Sequence, residues 1–131
     1  MSNHYPEIDG HKLTDFIHEL PFYLGNVMKY AWRAPYKGVI DDTLKLLDYL
    51  DMARRLWVKY NLSYGTFEHL QALARYEFYS NCDGVERAHR ECIRYAAELI
   101  MKSDISNSMN EGGKNNLIIS VGSLQVALTH K

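Results

Sequence analysis

The chain has 131 residues, a formal charge of -1 and 47% hydrophobic residues, the profile of one ordinary globular domain. That composition excludes a disordered chain and a collagen-like repeat, and no apolar run approaches the roughly 20 residues needed to cross a bilayer. Lys plus Arg number 15 against 16 Asp plus Glu, so bulk charge predicts neither strong nucleic-acid binding nor attraction to an acidic membrane. Any anion site must be a local cluster.

The N-terminal Met-Ser-Asn-His-Tyr-Pro has no basic segment followed by an apolar one, so no signal peptide is expected and the cytoplasm is the predicted compartment. Two cysteines, Cys82 and Cys92, are too few for a disulfide framework. Ten residues apart in one helix, their Cα atoms would sit about 15 Å apart, beyond bridging range. Reduced, half-buried or buried thiols are the expectation.

Proline stands only at positions 6, 21 and 35, where it marks joints. A short amphipathic helix is predicted over 13–19, with Asp9 a candidate cap and Leu20-Pro21 its end. A second helix covers 22–33, because Leu24, Val27, Met28 and Ala31 follow the spacing of one buried face. Ala34-Pro35 is expected to stop it. The third and longest helix is predicted over 41–60, where Leu46, Leu47, Leu50, Ala53, Leu56, Trp57 and Tyr60 recur at helical spacing. Asp41 and Asp42 suit the positive end of its dipole, and Arg54, Arg55 and Lys59 the negative end.

After a loop at 61–65, Thr66 is expected to cap a fourth helix over 67–80. A fifth runs over 85–103, with Ala88, Cys92, Tyr95, Ala96 and Leu99 facing inward. Residues 104–116 turn to Ser, Asn, Gly and Met, which reads as a loop or flexible linker. The tail from 117 to 128 fits either a helical face (Leu117, Val121, Leu124, Leu128) or a short strand, with helix preferred. The fold class is all-α: a bundle of about five helices in a single domain.

On the second helix, Asn26, Lys29 and Arg33 share the face opposite the apolar stripe, and Lys37 follows in the turn. An arginine fork, movable lysines and an amide suit a phosphate. The plainer reading is that these cations pair with Asp41, Asp42 and Asp48 on the next helix. Asp41, Lys45, Asp48 and Asp51 lie close to one face of the third helix. Carboxylates facing cations suit a Mg²⁺–phosphate site, or else form solvated i,i+4 pairs such as Asp41–Lys45.

Other motifs fail on spacing. Gly112-Gly113-Lys114 lacks the glycine at 108 and the hydroxyl at 115 of a phosphate-binding loop, since Ser108 and Asn115 stand there. His11, His18 and His89 show no zinc-ligand pattern. No zinc, haem or flavin is expected.

The N-terminal segment as a whole carries a pattern. It reads His4-Tyr5, then Leu13-Thr14-Asp15-Phe16-Ile17, then Leu24-Gly25-Asn26-Val27-Met28-Lys29-Tyr30-Ala31-Trp32-Arg33-Ala34, then Lys37-Gly38, Asp41-Asp42, Leu44-Lys45 and Asp48-Tyr49-Leu50. Over roughly residues 3–52 this resembles the small phage-encoded proteins often labelled nucleotide kinase-like. The resemblance implies a phage accessory protein in the host cytoplasm that binds nucleotides, with one branch phosphorylating deoxynucleoside monophosphates without a P-loop. It further implies that Asn26, Lys29, Arg33, Lys37 and Lys45 hold phosphate or base. Asp41 and Asp42 would hold Mg²⁺, His4 and Tyr5 would close the site, and Lys29, Arg33, Asp41 and Asp42 would carry catalysis. A departure is the turn Ala34-Pro35-Tyr36-Lys37-Gly38, which has one cation fewer than the usual Gly-Lys-Lys-Gly-like turn. The alternative expectation is a non-catalytic protein that sequesters a nucleotide or binds a host protein.

Ten Tyr, two Trp and four Phe are a heavy aromatic load for one bundle. Tyr49, Trp57, Tyr60, Tyr64, Tyr76, Tyr79 and Tyr95 spread over several faces, which predicts a homo-oligomer with the helices after residue 52 at its interface.

Overall fold

A computed structural model describes residues 5–37, 40–75 and 83–130, with the side chain of Lys37 outside that description. Among the described residues, five α-helices succeed two short 3-10 turns, Leu13–Asp15 and Ile17–Glu19. They are α1 (Phe22–Lys37), α2 (Asp41–Arg55), α3 (Tyr64–Ala74), α4 (Gly84–Ser106) and α5 (Glu111–Thr129). Contacts run α1–α2–α5–α4 and back from α4 to α1, so four helices enclose the core and α3 rests on α4. The all-α expectation is met. The segment predicted as one helix over 13–19 is the pair of 3-10 turns, and Asp9, at φ 51°, caps nothing. Its carboxylate instead takes Arg90 Nε at 2.9 Å, while Arg90 Nη2 donates to the Leu73 carbonyl at 3.0 Å.

The core is built from the stripes that periodicity predicts. Leu24, Val27, Met28 and Ala31 of α1 meet Leu46, Leu50 and Ala53 of α2, Ala96 and Leu99 of α4, and Leu117, Val121 and Leu124 of α5, all buried. Cys92 is wholly buried as a free thiol, and burial pushes its pKa up to about 12, opposed by the Ser120 hydroxyl. Cys82 and the predicted helix end over 76–80 lie outside the described residues.

Three boundaries differ from expectation, each for a tertiary reason. Pro35 does not stop α1, which continues to Lys37. Proline has no N–H for the Ala31 carbonyl one turn back, and that residue is buried. The gap is filled from α4, where His89 Nε2 lies 3.0 Å from both the Ala31 and Trp32 carbonyl oxygens and donates to them. The third helix ends at Arg55 rather than 60. Beyond it the chain turns so that Trp57 and Tyr60 pack together at 5.5 Å and Tyr60 Oη donates to the Ile100 carbonyl at 2.7 Å. The cap of α3 is Ser63, not Thr66, and Glu19 accepts from the hydroxyls of both, at 2.8 and 3.0 Å, and from the Ser63 N–H. That backbone N–H, and after it the two hydroxyls, holds the Glu19 carboxyl below the ordinary range against the opposing effect of desolvation. These bonds fasten the N-terminal turns to α3.

The largest difference is at 104–116, which is no linker. Ser and Asn there are helix caps. Asn107 ends α4 in the left-handed conformation, and Asn110 caps α5 by accepting the Gly113 N–H at 2.7 Å. Ser103 Oγ accepts the Asn110 N–H at 2.9 Å and ties the two ends together. Helix α5 then runs for 19 residues, so the tail is neither strand nor short. Gly113 sits where α5 crosses α4. A Cβ there would lie 2.9 Å from Asn110 Oδ1 and 3.3 Å from the Leu99 Cα. Gly113→Ala is therefore expected to destabilise by about 1–3 kcal/mol through overpacking, read as a lower urea midpoint. Gly112→Ala, with only a contact at 3.8 Å, should change it little.

Candidate functional site

The predicted polar face of α1 meets α2 around one tyrosine ring. Tyr30 is nearly buried, and Lys29 Nζ, Arg33 Cζ and Lys45 Nζ lie 4.7, 5.5 and 5.6 Å from its ring centroid. The sequence places them there simply. Lys29 and Arg33 are one helical turn apart, and Lys45 comes across from α2 on the face that also carries Asp42 and Tyr49. Cations over an aromatic face are held by its quadrupole, by about 0.5–1 kcal/mol at exposed sites. Among the described residues neither Lys29 nor Lys45 has a carboxylate partner.

Arg33 is different. Its Nε donates to Asp42 Oδ2 at 2.8 Å, and the Asp42 side chain is only 3% exposed. Burial opposes the guanidinium charge, but the hydrogen bond and charge of Asp42, with a hydrogen bond from Arg33 to Tyr5, outweigh it and raise the pKa. For this pair the plainer sequence reading, an ion pair between α1 and α2, is what the structure shows. Tyr5 is thus brought to the site. His4 and the Lys37 side chain lie outside the described residues. Asn26 is on the same face but donates to its own helix, to the Phe22 carbonyl at 2.9 Å.

Asp41 and Asp42 do not act as a pair. Asp42 is committed to Arg33, and Asp41, one residue and about 100° around the helix, is exposed. Among the described residues, no group of three or more His, Cys, Asp or Glu gathers at metal-holding separation. The residues present do not fit a preformed Mg²⁺ site. Asp48 is exposed on α2.

Sequence reasoning missed the aromatic half of the face. Tyr30 stacks on Tyr49 at 5.7 Å and 14°, and Tyr49 meets Phe22 edge-on at 6.0 Å. Phe22 is 68% exposed at the far end of this row. The signal was available: Phe22, Asn26 and Tyr30 are spaced i, i+4, i+8 on α1, and Lys45 and Tyr49 i, i+4 on α2. One face therefore offers an exposed ring, an amide and then a group of cations, in that order. Elsewhere, Trp57 and Tyr60 pack within the chain and Tyr95 is half-buried. Tyr64 is 78% exposed, and Tyr76 and Tyr79 lie outside the described residues.

No helix among the described residues is long and apolar enough to cross a membrane. No curated protein and no solved structure matches the chain. Residues 1–51, which contain α1, most of α2 and every residue of this face, match a family model described as DUF3310, a protein of unknown function.

Proposed function

We propose that the α1–α2 face binds a nucleotide, with the phosphate against Lys29, Lys45 and Arg33 and the base toward Phe22. The observation that carries this reading is the convergence of three cations on Tyr30, two of them without a carboxylate partner among the described residues. Ammonium groups gathered around one ring, with no carboxylate partner among the described residues, favour a multiply charged anion, and charge-assisted hydrogen bonds to phosphate are the strong ones. An exposed ring about two turns away supplies a stacking surface for a base. The resemblance of residues 3–52 to phage nucleotide kinase-like proteins supports the same ligand class and an accessory role in the host cytoplasm.

Between turnover and holding, the geometry favours holding. Phosphoryl transfer relies on metal ions to neutralise developing charge, and Asp42 is occupied by Arg33. The protein is read as a nucleotide-binding protein that sequesters its ligand. Calorimetric titration with deoxynucleoside mono-, di- and triphosphates, and with inorganic phosphate alone, is the test. Binding should weaken about tenfold for each of Lys29→Ala and Lys45→Ala, and should fall with salt. No heat with any nucleotide at millimolar concentration overturns the reading. Diphosphate formed from ATP, Mg²⁺ and a monophosphate would replace it with the kinase.

A further inference from the structure

The outer face of α5 is left bare by the described residues. Leu117, Val121, Leu124 and Leu128 are buried against the bundle, yet Ile118, Ile119 and Val126 are 42%, 68% and 60% exposed. No Asp, Glu, Lys or Arg occurs from 115 to 129. A helix apolar on both sides is ordinarily covered on both. Gly122 lies mid-helix on the outer side, where glycine costs about 1 kcal/mol relative to alanine. A Cβ there would meet nothing within 4 Å, so packing among the described residues gives no reason for it. Beside this face runs a groove of about 410 Å³ between α4 and α5, walled by Arg87, Glu91 and Tyr95 on one side and Asn116, Ile119 and Ser123 on the other.

We infer that this face joins two copies of the chain, α5 against α5, antiparallel across a two-fold axis at Gly122. The α5 face itself carries no charge and offers nothing to a charged ligand or nucleic acid. Set against itself by a two-fold axis, it meets an equally uncharged surface, without like-charge repulsion. Centred on Gly122, the antiparallel register puts Ile118 of one copy opposite Val126 of the other, apolar on apolar. The missing side chain lets the helix backbones approach, and the helix dipoles oppose. A 19-residue helix is about 28 Å long. One face of it falls short of the roughly 800 Å² per partner of a stable interface, so the contact extends over the groove, where Tyr95 adds aromatic surface and Arg87 and Glu91, opposite in sign, add a polar rim. None of this depends on the nucleotide reading.

Analytical ultracentrifugation of the full chain tests it. Wild type is expected to sediment as a dimer at micromolar concentration. Ile118→Lys and Val126→Glu, each alone, should weaken the dimer at least about tenfold while circular dichroism stays helical. The combination Ile118→Lys/Val126→Glu should restore it, because antiparallel pairing sets the opposite charges face to face. Gly122→Cys, at the axis, should give a disulfide-linked dimer on oxidation even if the charged variants misfold. A single-chain mass at every concentration overturns the inference. So does a dimer that none of the variants disturbs, or one that the double variant fails to restore.

Discussion

Lowering the pH from 6.5 to 4 is expected to remove about 3 kcal/mol of stability through His89 alone. Desolvation inside the bundle brings its pKa down from 6.5 to about 4, against the opposing pull of the Trp32 and Ala31 carbonyls, with Arg90 adding to the lowering. The folded chain therefore resists a proton that the unfolded chain accepts readily. The stability this provides is complete above pH 6.5 and is lost as the pH falls toward 4. His11 contributes with the same sign, through desolvation first and then His69, whose Nδ1 is 2.8 Å from its own. Urea unfolding at pH 7.5 and pH 4.5 measures the loss.

The same histidine links sequence to structure through Pro35. His89→Ala leaves the Ala31 carbonyl buried without a donor, a penalty of about 1–3 kcal/mol, and should flatten the acid limb. In that background Pro35→Ala returns a backbone N–H one turn from Ala31. The double variant is thus expected to lose less than His89→Ala alone. A sum of independent losses would contradict the pairing of His89 with Pro35 as the reason α1 tolerates proline.

Trp32→Ala is expected to have the largest effect on folding, a loss of about 3–5 kcal/mol. Trp32 is wholly buried, its ring 6.0 Å from Phe16, and its Nε1 donates to the Pro6 carbonyl at 2.7 Å. It thus anchors both the core and the segment leading into the first 3-10 turn. Since domains are stable by only about 5–15 kcal/mol, a large share of the margin goes. Trp32→Phe keeps most of the packing and exposes the Pro6 carbonyl to water, so it should cost far less. A change below about 1 kcal/mol for Trp32→Ala, by urea unfolding, would contradict the placement.

These residues show what was legible in the chain. Apolar periodicity alone placed the inner faces of α1, α2 and α4, because burial enforces the 3.6-residue spacing. It could not see that His89, some 50 residues downstream, would supply the hydrogen bond Pro35 lacks. Nor could it see that Tyr60 would leave the helix to reach Ile100. Both are long-range contacts that override local preference. The Ser- and Asn-rich stretch misled for another reason. The composition that marks a linker also marks two helix ends back to back, and only the pairings of Ser103 with Asn110 and Asn110 with Gly113 separate the cases. At the candidate site, the cations of α1 were visible from their spacing. Tyr30 as their common centre needed the α1–α2 packing that brings Lys45 across.

The most direct test of the α1–α2 face is a backbone amide NMR titration of the full chain with a deoxynucleoside monophosphate. Nucleotide binding at this face should give saturable shifts concentrated at Phe22, Asn26, Lys29, Tyr30 and Arg33 on α1 and at Lys45 and Tyr49 on α2, reduced in Lys29→Ala/Lys45→Ala. Saturable shifts confined to the α4–α5 groove, or none at millimolar ligand, would contradict it.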